Sequence, residues 1–413
     1  MTSCRACGAE IRAVVDLGEH PAGGTFPLPR EPSPQRLPLR LGVCAECGLA
    51  QLADPSPPEG DEPDAPTPLE SATMAAHAGR FVDDLLTRGL ASPSSRVLSL
   101  ASHGGHLAPI LWERGISATV LDPLPDRARR IARSGISAAV GSLDGATAPE
   151  IDRVGRFDLI VDFYLLAHLQ HPRLALARMA GLLQPGGAIV LEFDHLLATI
   201  EGGQWDAIRH GHQSYLTLTW LAREAEAAGL RVVDAEPQPV YGGALRIILQ
   251  VDGTASRRLA EIVEREARAA ISLPEGLMPL RSAVELARRE VVHHLETARA
   301  SGRRVAGYGA PARSITFLNT LGIGPELLPF VVDRAPGKQG RLIPGALVPI
   351  RAPQVLLDDP PAEILVLTWD LISEIRVSLA PLVARGSRLI VALPGLADVT
   401  DAPRPAAGGE APA

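Results

Sequence analysis

The residue types best suited to chemistry appear at the start of the chain. Cys4-Arg5-Ala6-Cys7 and Cys44-Ala45-Glu46-Cys47 form two Cys-x2-Cys pairs separated by 36 residues, and together they use all four cysteines. A turn of that length lets two thiolates reach one ion, and two such turns complete a tetrahedral Zn²⁺ site with no position left for water. The spacing predicts a structural zinc held by Cys4, Cys7, Cys44 and Cys47, stabilising a module too small to hold itself together. Four unrelated buried thiols, or a redox dithiol, are the competing readings. Two equal pairs flanking a strand-rich segment favour the metal.

A second constellation suits a nucleoside. Residues 97–107 run Val-Leu-Ser-Leu-Ala-Ser-His-Gly-Gly-His-Leu, a strand, a Gly-containing turn and a helix start. Such a turn brings backbone N–H groups close to a ligand at the end of a first strand, where doubly wound sheets bind cofactors. Asp122 follows the second strand about twenty residues on, where a carboxylate accepts hydrogen bonds from both ribose hydroxyls. Asp144 follows the third strand, at the place of an adenine contact. Gly104-Gly105 alone reads equally as an ordinary strand–helix turn; Asp122 and the strand spacing favour the cofactor. A pyrophosphate-clamping loop is disfavoured, because the full G-x-G-x-x-G spacing is absent.

These residues need a sheet to position them. Apolar runs at 96–100, 118–121, 138–140, 159–161, 188–193 and 245–249 predict strands, with helical segments between most of them. Alternation of this kind indicates an α/β fold, a mostly parallel sheet wrapped on both faces. Helices are expected over 71–90, 256–270 and 280–301. A second alternation, with strands at 304–307, 330–332, 364–367 and 388–392, predicts a smaller doubly wound domain. The chain thus divides into a zinc-binding module (1–55), a doubly wound domain (70–250), a Rossmann-like substrate domain (251–398) and a disordered tail (399–413). A Pro/Asp/Glu-rich linker occupies 55–68.

Composition narrows the function classes. A chain of 413 residues exceeds what one core supports. Apolar residues at 46% and charged residues at 21% are those of a globular protein and exclude overall disorder. The formal charge is −7 and no stretch gathers basic residues, which argues against nucleic-acid binding. No apolar segment approaches the ~18–20 residues of a membrane span. The N-terminus lacks a signal-peptide pattern, and four cysteines are too few for a secreted disulfide scaffold. A cytoplasmic monomer acting on a small molecule is expected.

Over about residues 3–395 the chain resembles the S-adenosylmethionine-dependent sugar C-methyltransferases, which alkylate keto-deoxysugars attached to nucleoside diphosphates. The zinc module carries the likeness through Pro38-Leu39-Arg40-Leu41 and Gly48-Leu49-Ala50-Gln51-Leu52. The middle segment carries it through Leu166-Ala167-His168, His210-Gly211-His212-Gln213-Ser214-Tyr215 and Gly242-Gly243-Ala244-Leu245-Arg246. The last segment carries it through Gly307-Tyr308-Gly309-Ala310, Asn319 and Val332-Asp333-Arg334-Ala335-Pro336-Gly337-Lys338-Gln339-Gly340. The resemblance implies a class I methyltransferase domain at 70–250, S-adenosylmethionine as cofactor and a nucleotide-linked sugar as acceptor in natural-product biosynthesis. It also implies proton removal alpha to a ketone and methyl transfer to the enolate, with His212 as base and His168 as its helper. Imidazole suits that task because it titrates near working pH. A satisfied core histidine is the bland alternative for either. Tyr215 and Tyr308 fall among the implied substrate contacts.

The chain departs from the family pattern where chemistry is done. Ser99, Ala101, His103 and Gly104 replace the usual acid, Gly and Asn-Asp of the first loop, and only Ser102 and Gly105 stay as expected. Phe163-Tyr164 replaces Asn-Asn, Arg209 replaces Tyr, Gly211 replaces Glu, and Arg313-Ser314-Ile315 replaces Lys-Gly-Asn. The Tyr-rich lid segment reads Ala65-Pro66-Thr67-Pro68-Leu69-Glu70-Ser71. Lost hydrogen bonds of this kind cost several kcal/mol of positioning for the usual substrate. A methyltransferase with an atypical acceptor, a different reaction on the same scaffold (enolisation, cyclisation or elimination) and a catalytically silent binding partner all fit these departures. Arg209 would then favour an acceptor more anionic than a neutral keto-sugar, and Arg313 falls among the implied substrate contacts.

Overall fold

The computed structural model describes residues 3–22, 25–54, 56, 71–100, 107–145 and 155–401. The tail beyond 401, nearly all of the 55–68 linker, and the loop with Ser102 and Gly105 lie outside the described residues. The chain forms two compact units. One holds the chain up to Asp16, Leu39–Glu201 and His210–Pro279; the other holds Leu17–Pro38, Gly202–Arg209 and the chain from Leu280 on.

The cysteine segment contributes β1 (Ile11–Pro21), β2 (Arg36–Cys44) and β3 (Ala50–Leu52); β1 after Asp16 and β2 before Leu39 group with the second unit, the rest with the first. Helix α1 (Ala72–Thr87) follows, its first turn closed by the Ser71 hydroxyl accepting from Met74 N. It buries Met74, Ala78, Phe81, Val82 and Leu85, a spacing that lines one face of a helix. Then come β4 (Val97–Leu100), α2 (Leu107–Glu113), β5 (Ala118–Asp122), α3 (Pro125–Arg133), β6 (Ser137–Val140) and β7 (Phe157–Phe163). Next are α4 (Pro172–Gly181), β8 (Leu183–Asp194), α5 (Leu196–Glu201), β9 (Ser214–Tyr215) and α6 (Leu218–Ala227). The unit ends with β10 (Arg231–Gln238), β11 (Ala244–Gln250) and α7 (Arg257–Arg268).

The main sheet runs β10-β11-β8-β7-β4-β5-β6. Strands β4 to β8 are parallel, whereas β11 runs antiparallel to its two neighbours, β8 and β10. Chain order reverses beside β4, with β5 on one side and β7 on the other. That reversal opens a ligand crevice at the carboxyl ends of the strands. Both faces are covered. Leu98, Leu100, Ile160, Ile189 and Leu191 pack with Leu176, Met179 and Leu221 on one side. Val97, Leu159, Val161 and Val190 pack with Phe81, Val82 and Leu111 on the other. Each such side chain contributes about 1.5–3 kcal/mol by leaving water. Strand β10 was not among the predicted strands. Arg231, Asp234, Glu236 and Pro237 break up its apolar pattern, as a sheet edge permits.

The second unit is built on α8 (Met278–Ala300), β12 (Val305–Tyr308), α9 (Ala312–Leu321), β13 (Val331–Val332), β14 (Ile350–Arg351), α10 (Gln354–Asp358), β15 (Glu363–Val366), α11 (Ile372–Val383), β16 (Arg388–Val391) and β17 (Ala397–Asp398). Its sheet runs β14-β13-β12-β15-β16-β17, parallel except for β17. Chain order reverses at β12, so this unit also has a crevice between β12 and β15.

Candidate functional site

The two cysteine turns share one backbone pattern. Gly8 N–H donates to Cys4 O at 2.9 Å and Cys4 N–H to Ala9 O at 2.7 Å; Gly48 N–H donates to Cys44 O at 2.7 Å and Cys44 N–H to Leu49 O at 3.0 Å. The four Sγ atoms lie within 4.8 Å of one another, with Cys4–Cys47 and Cys7–Cys44 at 3.5 Å. Four thiolates 2.3 Å from a tetrahedral zinc would be about 3.8 Å apart. The donor set therefore fits a closed structural site. Gln51 Nε2–H donates to Cys4 Sγ at 3.0 Å, and Arg5 N–H fixes the Gln51 carbonyl at 2.9 Å.

Gln51 lies on β3, which pairs antiparallel with β9 through Ala50–Tyr215 and Gln51–Ser214. That pairing carries the cysteine module to the histidine segment. Gln213 N–H donates to Ala167 O at 2.8 Å, and Leu52 N–H to Gln213 O at 3.2 Å. Ser56 Oγ accepts from Gly211 N–H at 3.1 Å and sits 3.2 Å from His210 Nδ1. His168 and His212 meet edge to face, ring centroids 4.4 Å apart at 85°. His168 Nδ1 lies 3.2 Å from Gly211 O, a contact that needs the proton on Nδ1 and leaves Nε2 as the acceptor. Tyr215 stands 6.2 Å from His212, ring to ring. The structure thus brings His168, His212 and Tyr215 together.

The short helical turn Leu166–His168 is held from below by Asp162, at the end of β7. Its carboxylate accepts from Leu165 N–H at 2.6 Å and Leu166 N–H at 2.9 Å. Burial pushes this carboxyl up to about 7 against the pull of those amides.

At the cofactor end, Asp122 closes β5 and is fully buried. It accepts from Leu124 N–H at 2.8 Å and Arg127 Nε–H at 2.5 Å. A buried carboxylate at this strand end is the hydrogen-bond acceptor a ribose diol needs, and in that respect the unit fits S-adenosylmethionine. Asp144 accepts from Gln170 N–H at 2.5 Å, His171 N–H at 3.3 Å and the Ser142 hydroxyl, so it holds the start of α4.

Arg209, Tyr308 and Arg313 belong to the second unit. Tyr308 closes β12, and burial pushes its phenol up, which keeps it neutral. Arg313 lies 5.2 Å over the Trp369 ring, with Nη1 3.9 Å from Asp206 Oδ1. Trp369 Nε1–H donates to Asp206 Oδ2 at 3.0 Å. Burial pushes the Asp206 carboxyl up and Arg313 opposes it.

Sequence reasoning missed one buried cluster in the first unit. Glu192, near the end of β8, accepts from Arg246 Nε–H and the Tyr164 hydroxyl, both at 2.9 Å, and is paired with His77 Nε2. Burial would raise the Glu192 carboxyl, but His77 and Arg246 hold it below the usual range. Burial and the Glu192 charge push the Tyr164 phenol well up. Tyr164 adopts φ +70°, uncommon for a bulky residue. A Glu within the apolar run of β8 was the available signal.

Residues 4–60 match a zinc binding domain, 74–235 a methyltransferase domain and 239–394 a C-methyltransferase C-terminal domain. The C-methyltransferase NovU of Streptomyces niveus is 26% identical over 404 residues, covering 95% of each chain. Among solved structures, an O-methyltransferase family protein from Burkholderia thailandensis is 21% identical, over 45% of this chain and 59% of its own, with a TM-score of 0.33. The glycopeptide N-methyltransferase MtfA is 17% identical over 46% of this chain and all (100%) of its own, with a TM-score of 0.34. No helix of the described residues is long and apolar enough to cross a membrane.

Proposed function

From the premise that the chain belongs to the S-adenosylmethionine-dependent C-methyltransferases built of zinc-binding, methyltransferase and C-terminal domains, we propose that it methylates a carbon alpha to the carbonyl of a nucleotide-linked keto-deoxysugar or a more anionic relative. The edge-to-face pair of His168 and His212 carries this reading. When bound, S-adenosylmethionine supplies the electrophilic methyl group; zinc supplies no chemistry.

His212 takes the alpha proton. His168, its Nδ1–H directed at Gly211 O, holds the loop on which His212 sits. His212 is buried, which leaves little water to compete for the proton being moved. Asp162 holds the turn that carries His168. Asp122 receives the ribose of the cofactor, and Asp144 stands at its adenine end. Tyr215, beside His212, is an acceptor contact; in the second unit Arg209, Tyr308 and Arg313 are the groups suited to an anionic acceptor.

The test is incubation with methyl-labelled S-adenosylmethionine and a panel of nucleotide-linked 4-keto and 3-keto sugars, with the label located by NMR. Label on a carbon beside the carbonyl is the expected result. Label on oxygen, or solvent deuterium incorporation with no methyl transfer, overturns the assignment.

A further inference from the structure

Asp122 has a nearer partner than any ribose. Its Oδ1 takes Leu124 N–H at 2.8 Å and its Oδ2 takes Arg127 Nε–H at 2.5 Å. The Asp122 side chain has no exposure and that of Arg127 has 17%. A hydrogen bond between ions at this distance is stronger than one from a neutral hydroxyl. A ribose diol seeking this carboxylate competes with a charged donor already in place.

The surroundings give Arg127 little reason to leave. It sits in the first turn of α3, whose sequence Pro-Asp-Arg-Ala-Arg-Arg-Ile-Ala-Arg carries four arginines and one carboxylate. That carboxylate, Asp126, is paired with Arg129. A guanidinium that swings away from Asp122 leaves a mostly buried ion pair broken on both sides.

We propose that Arg127 is a latch on the cofactor's ribose site: the Asp122–Arg127 pair has to open before the diol is accepted, so Arg127 sets the affinity of this chain for adenosine-type ligands. The inference rests on the reading of Asp122 as ribose acceptor. Arg127 is a positioning residue here, acting through the carboxylate it occupies.

Isothermal titration of S-adenosylhomocysteine and its 2′,3′-dideoxy analogue into wild type, Arg127→Met and Arg127→Gln tests both points separately. Methionine and glutamine are good helix formers, and thermal unfolding checks each variant before titration. With the latch removed, S-adenosylhomocysteine should bind about ten-fold tighter, the scale of one charge-assisted hydrogen bond no longer competed for. The dideoxy analogue should bind wild type and variants alike. If the diol strengthens binding to wild type but neither variant gains affinity, the latch is wrong while Asp122 keeps its role. If diol and dideoxy ligands bind equally throughout, Asp122 does not read the ribose and the latch falls with it.

Discussion

Gln51 faces Ser214 across an antiparallel pair while its side-chain amide donates to Cys4 Sγ at 3.0 Å. One residue thus joins the thiolate cluster to the strand that begins two positions after His212. The cysteine site is structural in its chemistry, yet its stability is transmitted to the histidine loop.

Metal analysis of protein purified without added zinc should give one Zn²⁺ per chain. Cys44→Ser should abolish that stoichiometry and lower the unfolding temperature. Removing zinc should also speed amide exchange at residues 50–52 and 213–216, where β3 and β9 pair. Metal-free protein with unchanged exchange in that segment would show that the sheet holds without the ion.

Asp162 makes stability depend on pH in a defined window. Its carboxyl is pushed up to about 7 by burial, whereas an unfolded chain titrates near 3.9. Between those values the folded state binds the extra proton, so stability is greatest below about pH 4 for this group and is lost as pH rises through 7. The slope in that window is about 1.4 kcal/mol per pH unit. Urea unfolding at pH 8 and pH 5.5 should show this gain on acidification in wild type, reduced in Asp162→Asn. Equal pH dependence in both would place the titrating group elsewhere.

Gly309 tests the crevice of the second unit. It has φ +91°, and a Cβ there would lie 2.0 Å from Thr368 Oγ1 and 3.2 Å from Thr368 Cβ. The next residue is clamped: Ala310 N–H donates to Asp333 Oδ2 at 2.6 Å, and Lys338 Nζ donates to Ala310 O at 2.7 Å. The loop therefore cannot move aside cheaply. Gly309→Ala should cost about 1–3 kcal/mol of stability by backbone strain and overlap together, read by denaturant unfolding. A cost below about 0.5 kcal/mol, the scale of an ordinary surface change, would mean that Thr368 yields.

The parts of this architecture that sequence revealed are the parts specified locally. Cys-x2-Cys spacing needs only two turns, and the β4–β8 strands are short apolar runs between helices. What sequence did not reveal depends on partners far along the chain. Strand β9 is two residues long and exists because β3 lies beside it. Residues 17–38 read as part of the zinc module but cluster with the second unit, where His20 Nε2 meets Thr320 Oγ1 at 3.2 Å. Glu192 was hidden inside an apolar strand, its partners contributed by α1, β11 and Tyr164 just after β7. Arg127 was visible five residues beyond Asp122, but no periodicity says that an arginine will turn back onto a strand end.

His212 is the residue on which the proposed reaction depends. It is buried at 7% exposure, edge-on to His168, in a loop pinned through Ser56, Ala167 and β3. Replacing it with asparagine keeps a polar side chain of similar reach and removes the titratable nitrogen. His212→Asn should lower turnover by a factor of about 10² or more, the usual contribution of a positioned base, with S-adenosylhomocysteine affinity and unfolding temperature little changed. Solvent deuterium exchange into the acceptor's alpha carbon should fall by the same factor, because the proton-removal step precedes methyl transfer. His168→Asn should lower both rates less, since it supports the loop and not the proton. Arg209→Tyr should shift preference toward neutral keto-sugars if the arginine holds an anionic group. Equal exchange by wild type and His212→Asn would remove His212 from the mechanism and return it to the core histidines.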